Sequence, residues 1–169
     1  LRQVCGALRE AHAIGLIHRD VKPRNILVCQ RGGVDDVAKL LDFGLVRIQD
    51  GAADVNLTAE HAIAGTPAYM SPEQADGREN IDGRADLYSL GAVAYFLLTG
   101  RPPFVGESVG QVLRAHLCEA PEPPSRYRPE VPADLEAVVL RCLAKEPADR
   151  FPDAQALDEA LAVCAAVAP

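Results

Sequence analysis

The stretch LIHRDVKPRN, residues 16–25, decides how the rest of this sequence is interpreted. It places a histidine, two arginines, an aspartate, a lysine and an asparagine directly before the apolar run 26–28. So many polar groups at the start of a buried strand indicate either a solvated turn or an active site on a loop. The segments on either side decide between these two interpretations.

The composition is that of one globular domain. The chain has 169 residues, of which 49% are hydrophobic, enough for a single sizeable core. Its net charge of −7 weighs against a nucleic-acid partner, and its five scattered cysteines, without a C-x-x-C pair, indicate reduced thiols. No signal-peptide pattern appears in these residues, and their longest apolar stretches are too short to span a bilayer. We therefore expect a cytoplasmic location, with any membrane anchor lying elsewhere in the full-length protein.

An amphipathic helix is predicted from the very first residue. Apolar residues at helical spacing share one face: Leu1, Val4, Cys5, Leu8 and Ala11. Gly15 suits the C-terminal end of this helix, and residues 16–17 could then form a short strand. Because no capping residue precedes the helix, we expect the chain to be a fragment that begins inside a helix of a longer protein.

A β-hairpin and a long loop are predicted next. Residues 26–28 and 38–41 have the pattern of two short strands, joined by a turn rich in Gly and Asp at 31–36. From 42 to about 71 no periodicity holds, and a loop of that length inside a compact domain is typically functional or disordered.

The remaining chain is predicted to be helical. Residues 82–98 are apolar almost all round, which is typical of a buried helix. Further helices are expected at 108–118, across 135–143, and after Asp153, a favourable N-cap residue. The predicted fold is therefore mainly α with one small β-hairpin that carries polar loops.

The ends of the hairpin are expected to form a chemical site. Asn25 precedes one strand and Asp42 follows the other, so hairpin pairing should bring them together, with Asp20 nearby. Oxygen ligands of this kind suit Mg²⁺, which takes few protein ligands and completes its shell with water and phosphate. Asp20 could then accept a proton from an attacking hydroxyl or orient it, while Lys22 could place positive charge on a transferring phosphoryl group.

Five motifs, in this order, resemble those of a protein kinase. HRDVKPRN (18–25), DFG (42–44) and GTPAYMSPE (65–73) resemble the catalytic loop, the magnesium loop and the end of the activation segment. Residues 82–104 and LAKEPADRF (143–151) resemble the buried helix and the closing arginine motif of the large lobe. A DFG alone recurs by chance, whereas HRDxKxxN fixes five positions and arises roughly once in a few million starting points. The overall resemblance is to bacterial serine/threonine kinases.

The resemblance implies roles for the residues of the predicted site. Asp20 matches the catalytic base, and Lys22 the lysine that contacts the transferred phosphate in serine/threonine-type enzymes. Asn25 and Asp42 match the ligands of Mg²⁺ (or Mn²⁺), and Leu27 matches the apolar floor beneath the adenine of ATP. The simpler alternatives are turn or strand-end residues for the polar positions, and a core residue for Leu27.

Regulatory roles are implied as well. Arg19 resembles the arginine that pairs with a phosphorylated residue of the activation loop, and Thr58 is its expected partner, with Glu60 nearby as a fixed negative charge. Thr66 resembles the threonine whose hydroxyl bridges the base and the lysine, which again points to serine or threonine acceptors.

Other residues are expected to be structural. Glu73 and Arg150 resemble a buried ion pair, and Asp86 resembles an aspartate that accepts backbone hydrogen bonds from the catalytic loop. His18 is expected to pack near the DFG turn and to hydrogen-bond to backbone. The remaining histidines have no ligand spacing and are interpreted as surface or core residues: His12, His61 and His116.

The resemblance extends over residues 1–169 and implies the C-terminal (large) lobe of a kinase domain, truncated and of α+β class. Its parts would be a catalytic loop at 18–25, an activation segment at 42–73 and a helical subdomain at 82–166. These residues contain neither a G-x-G-x-x-G loop nor a V-A-I-K lysine. The fragment alone is therefore expected to be inactive for want of the ATP-clamping N-terminal lobe.

The implied function of the gene product is transfer of the ATP γ-phosphoryl group to serine or threonine hydroxyls of protein substrates. Two alternatives remain open: a non-catalytic pseudokinase that acts as an interaction module, and a small-molecule phosphotransferase. The intact Asp20, Lys22, Asn25 and Asp42 weigh against the first. The GTPAYMSPE segment, whose role is to seat a polypeptide, weighs against the second.

Overall fold

Six α-helices and one β-hairpin make up the part of the chain described by this computed structural model, residues 1–42 and 67–164. The elements are α1 (Arg2–Ala13), β1 (Ile26–Arg31), β2 (Val34–Leu40), α2 (Pro72–Ala75), α3 (Arg84–Thr99), α4 (Val109–Cys118), α5 (Ala133–Cys142) and α6 (Ala154–Ala162). Short 3₁₀ turns lie at Pro23–Asn25, Pro67–Tyr69, Pro124–Arg126 and Pro147–Asp149. The prediction of a mainly helical fold with one antiparallel hairpin is confirmed.

Helix α3 forms the centre of the fold because it is apolar on every side. Its residues from 85 to 95 are all buried, as the sequence predicts. Gly91 allows α5 to approach closely, since a Cβ at this position would lie 2.4 Å from Cβ of Cys142. The helix ends at Gly100, whose φ of 77° is the left-handed conformation that glycine adopts without strain.

The other helices bury one face each. The predicted apolar stripe of α1 is confirmed, since Val4, Cys5, Leu8 and Ala11 are all buried. Helix α1 packs against α6 and β2, and α5 packs against α3. Two capping residues hold the starts of later helices: Ser108 Oγ accepts from Gln111 N, and Asp153 accepts from Ala156 N. No helix within the described ranges is both long and apolar enough to cross a membrane.

The hairpin is longer and tighter than predicted. Ile26 pairs with Leu40, and the strands continue to a turn formed by Gly32 and Gly33, both with positive φ. The expected six-residue turn is therefore wrong, because residues 34–36 belong to β2 as an exposed stretch of strand despite their two aspartates, and Val34 pairs with Arg31. A register shift between Cys29 and Arg31 accommodates the difference.

Two further predictions need correction. Residues 16–17 form no strand, because Leu16 N donates to Ala11 O at 3.0 Å and so closes the end of α1. Helix α2 was not predicted, although Ser71 and Gln74 form a capping box at its start. Most of the predicted long loop, residues 43–66, lies outside the described residues.

Candidate active site

A buried carboxylate, Asp86, holds the start of the predicted catalytic loop. It lies in the first turn of α3, where the positive end of the helix dipole favours an anion. Its two oxygens accept from the backbone N–H groups of His18 and Arg19, both at 2.8 Å. His12 Nε2 lies 2.8 Å from Asp86 Oδ2, and its ring covers Gly83 so closely that a Cβ there would lie 2.5 Å from Nδ1. The loop is therefore attached to the most buried helix among the described residues.

The ring of His18 joins the same loop to the end of β2. Its Nδ1 accepts the backbone N–H of Asp20 at 3.2 Å, so its other nitrogen, Nε2, carries a proton and donates to the Leu41 carbonyl at 2.9 Å. His18 is completely buried, and its backbone contact next to Asp42 is the structural one that the sequence predicts. Two segments distant in sequence are thereby fixed relative to each other.

Asp20, Lys22 and Asn25 meet in one group. Lys22 Nζ lies 2.7 Å from Asp20 Oδ2, and Asn25 Nδ2 donates to the same oxygen at 3.1 Å. Asn25 Nδ2 also donates to the Asp20 backbone carbonyl at 2.8 Å. The asparagine amide is therefore oriented with its nitrogen towards Asp20, which leaves Oδ1 as the atom that can bind a cation.

Asp42 follows β2 at the same end of the hairpin. The backbone N–H of Leu41 donates to the Asn25 carbonyl at 2.8 Å, which places Asn25 beside the residue that precedes Asp42. Asp42 is exposed and has a φ of 53°, an uncommon conformation for a residue other than glycine. Leu27, the next residue but one after Asn25, is about half exposed, so it is not a core residue among the described part of the chain.

The donors present suit a hard cation that keeps other ligands. Within residues 1–42 and 67–164, no three His, Cys, Asp or Glu side chains are grouped as they would be around a metal ion. One amide oxygen and one carboxylate are instead available, from Asn25 and Asp42. Mg²⁺ is typically held by one or two protein ligands together with water and substrate phosphates, so this set fits it.

Glu73 and Arg150 form a buried ion pair beside the start of α3. Arg150 NH1 and NH2 donate to the two oxygens of Glu73 at 2.7 and 2.8 Å, a bidentate geometry. The same guanidinium donates to the backbone carbonyls of Arg84, Ala144 and Lys145. The ion pair thus ties α2 to α3 and to the segment that precedes α6.

Two of the residues now seen to hold the site together, His12 and Gln74, were not assigned this role from the sequence. His12 was interpreted as a surface or core residue, and its contact with Asp86 spans 74 positions, so no local pattern reveals it. Gln74 donates to the Arg19 carbonyl at 2.7 Å, and the S-x-x-Q capping signature could have drawn attention to it. His116, interpreted as a surface or core residue, belongs to the core: it is completely buried, Tyr88 Oη lies 2.8 Å from its Nδ1, and burial lowers its pKa to about 4.

Some of the predicted residues belong to the segment 43–66. Thr58, Thr66 and the last two residues of the DFG motif lie outside the described residues. Arg19 is exposed at the surface beside Asp20. Its predicted pairing with Thr58 therefore stays a prediction.

Comparisons with known proteins agree with the motifs. The sequence model of the protein kinase domain family matches residues 1–161. The chain is 50% identical over 168 residues to serine/threonine-protein kinase Pkn1 of Myxococcus xanthus, covering 98% of this chain and 24% of the relative. It is 46% identical over 157 residues to pkn3 of the same organism, covering 91% and 28%. It is 47% identical over 152 residues to PknB of Mycolicibacterium smegmatis, covering 89% and 23%. The chain thus spans about a quarter of the length of these relatives.

Proposed function

Because this chain belongs to the protein kinase family, we propose that it is the catalytic lobe of a serine/threonine protein kinase. The reaction is transfer of the γ-phosphoryl group of ATP to a serine or threonine hydroxyl of a protein substrate. The observation that carries this proposal is the meeting of Asp20, Lys22 and Asn25 within hydrogen-bonding distance, at the end of the hairpin that Asp42 also occupies. The names of the bacterial relatives support the choice of serine and threonine.

Asp20 is proposed as the residue that orients the acceptor hydroxyl and takes its proton. Among the described residues, the side-chain contacts of its carboxylate all go to Oδ2, which leaves Oδ1 to accept from a hydroxyl. Lys22 holds a positive charge next to this carboxylate, where it can stabilise negative charge that develops on the phosphoryl group. The proton leaves the hydroxyl as its oxygen bonds to phosphorus and the bond to the leaving ADP oxygen breaks.

Asn25 and Asp42 are proposed to hold Mg²⁺ or Mn²⁺ together with the ATP phosphates. When bound, the ion neutralises phosphate charge and aligns the γ-phosphoryl group. Asn25 is nearly buried and fixed by its two bonds to Asp20, so its Oδ1 is a preorganised ligand. The half-exposed Leu27 offers an apolar surface on which the adenine could rest.

Residues 1–169 are proposed as the C-terminal lobe only, with the catalytic loop at 18–25, the activation segment at 42–73 and a helical subdomain at 82–166. These residues carry neither a glycine-rich phosphate loop nor a V-A-I-K lysine, so the isolated chain is expected to lack turnover. We place the reaction in the cytoplasm, where ATP is available.

Regulation is proposed through the activation segment. Arg19 would pair with phosphorylated Thr58, and Thr66 would bridge Asp20 and Lys22. Both threonines lie outside the described residues, so these contacts are carried by the resemblance alone.

A phosphotransfer assay tests the proposed function. The full-length protein is incubated with radiolabelled ATP and Mg²⁺, and with peptides that are identical except for a serine, threonine or tyrosine acceptor. We expect label on the serine and threonine peptides only, and none with Asp20→Asn or with the isolated chain. ATP binding without transfer to any peptide would favour a pseudokinase, and transfer to small molecules alone would favour a small-molecule phosphotransferase.

A further inference from the structure

Gln74 connects the end of the activation segment to the catalytic loop. Building on the kinase function proposed above, we propose that Gln74 is a positioning residue, which fixes the peptide group before Asp20 and thereby the direction of the catalytic carboxylate. Its side-chain nitrogen, Nε2, donates to the backbone carbonyl of Arg19 at 2.7 Å, across 55 positions of sequence.

The backbone of Arg19 needs such support because it is strained. Its φ of 62° lies in the left-handed region, which costs a residue other than glycine free energy and persists only where neighbours fix it. Its N–H donates to Asp86 Oδ1 at 2.8 Å and its carbonyl accepts from Gln74. The two polar backbone groups of this one residue are therefore held by side chains from two different helices, α3 and α2.

The peptide group between Arg19 and Asp20 is consequently fixed at both ends. Gln74 holds its oxygen at 2.7 Å, and Nδ1 of His18 accepts its N–H at 3.2 Å. Loss of these bonds would free ψ of Arg19 and φ of Asp20, the torsions that set the direction of the Asp20 Cα–Cβ bond relative to the rest of the loop. The Asp20 carboxylate must stay within hydrogen-bonding distance of Lys22 and Asn25. The Gln74 contact therefore affects catalysis by holding the backbone that positions this carboxylate.

An amide is the side chain that these contacts require. Gln74 Oε1 accepts the backbone N–H of Ser71 at 3.1 Å, while Nε2 donates to Arg19. A carboxylate at this position would keep the first bond, lose the second and set a negative charge against a carbonyl oxygen. Glu73, the preceding residue, is locked to Arg150, so the amide is presented by an anchored helix.

The experiment compares three variants in the full-length protein. Gln74→Glu removes the donor to Arg19 and adds a negative charge beside its carbonyl oxygen. Ser71→Ala is the matched control for α2, because it removes the Ser71 Oγ bond to Gln74 N at 3.4 Å and leaves the Arg19 contact in place. Gln155→Glu makes the same change of charge on α6. For each protein we would measure kcat, KM for ATP and for peptide, the melting temperature, and hydrogen exchange of the segment 16–26.

Gln74→Glu is expected to lower kcat about tenfold, the factor that loss of one ordinary hydrogen bond can produce, with both KM values within about twofold of wild type. Exchange of the amides near Asp20 should become faster. Ser71→Ala should lower the melting temperature but keep kcat. Gln155→Glu should also keep kcat, with a small loss of melting temperature because its new carboxylate lies one helical turn from Glu159. Should Gln74→Glu not fold, Gln74→Met removes the donor without adding charge and is judged by the same criteria.

The inference is overturned if kcat and exchange of the Gln74 variant match wild type, or if Ser71→Ala lowers kcat to the same extent. The exchange measurement needs no turnover, so it separates the two proposals. A wild-type protein that phosphorylates nothing would refute the proposed function, whereas unchanged exchange near Asp20 in Gln74→Glu would refute the role of Gln74.

Discussion

The buried pair of Glu73 and Arg150 allows a quantitative test of what stabilises this fold. The side chain of Arg150 is 0% exposed and that of Glu73 is 5% exposed. Replacing Arg150 by methionine keeps an unbranched side chain of moderate length but leaves the Glu73 carboxylate buried without its cation. Breaking a buried ion pair from one side typically costs about 3–5 kcal/mol in the free energy of unfolding.

The carbonyl contacts of Arg150 place this substitution at the upper end of that range. Its guanidinium donates to the carbonyls of Ala144 and Lys145 at 2.8 Å and of Arg84 at 3.0 Å. Each acceptor that is left buried without a donor adds a cost of roughly 1–3 kcal/mol, although such costs do not add fully. We therefore expect Arg150→Met to lower the free energy of unfolding by about 5 kcal/mol. Glu73→Leu leaves those carbonyls satisfied and should lower it by about 3 kcal/mol.

A double-mutant cycle by urea unfolding measures the coupling. The double variant Glu73→Leu/Arg150→Met buries no unpaired charge, so it should be more stable than the sum of the single losses predicts, by at least about 2 kcal/mol. The exposed pair of Arg2 and Asp158 is the control, and Arg2→Met should change stability little because water screens both groups. The role of burial would be refuted if the losses in unfolding free energy of the two single variants simply added up in the double variant. It would also be refuted if Arg150→Met lost no more stability than Arg2→Met.

Three further outcomes are expected. Burial, with a smaller contribution from Lys145, lowers the pKa of His116 from its ordinary 6.5 to about 4, so the unfolded chain binds the extra proton first as the pH falls. This contribution to the free energy of unfolding is complete above pH 6.5 and is lost progressively towards pH 4, by roughly 3 kcal/mol in all. Urea unfolding across this range should therefore show a smaller loss of stability with falling pH in His116→Phe than in the wild type. His12→Ala removes one of the partners of buried Asp86 and should cost about 1–3 kcal/mol, measured in the same way, with slower phosphotransfer in the full-length protein. Asp42→Asn should abolish Mg²⁺-dependent transfer while leaving the urea midpoint unchanged, because Asp42 is exposed, and a shifted midpoint would show that its role is structural.

What the sequence predicted well depends on local geometry. The stripe of α1 and the uniformly apolar α3 follow from helical periodicity, and both are buried as expected. The approach of Asn25 to the end of β2 follows from hairpin pairing, which needs only the two strands and their order. These features could be derived because each is encoded in the periodicity of one element or in the pairing of two strands that are adjacent in sequence.

What the sequence did not predict depends on contacts between distant segments. Residues 16–17 have side chains that are typical of strands, but the backbone N–H of Leu16 closes the end of α1. A β-strand propensity cannot reveal such a contact. Asp35 and Asp36 are typical turn residues, yet they belong to an exposed strand because the two glycines before them make a tighter turn. His12 and Gln74 acquire their roles only when α3 and α2 are brought against the loop.

The proposed catalytic loop owes its shape to elements outside itself. Apart from the 3₁₀ turn Pro23–Asn25, residues 16–25 have no regular structure and cannot fix Asp20 through a backbone ladder of their own. Asp86 supplies an anchor from α3, Gln74 one from α2, and Leu41 one from the position directly after β2. Asp86 belongs to a helix in which eleven consecutive residues are buried. A loop held in this way can expose charged groups to substrate and still keep them within hydrogen-bonding distance of one another, because the rigidity resides in the packed helices. It follows that the polar side chains reaching from those helices to the loop are as much a part of the site as the residues expected to touch phosphate.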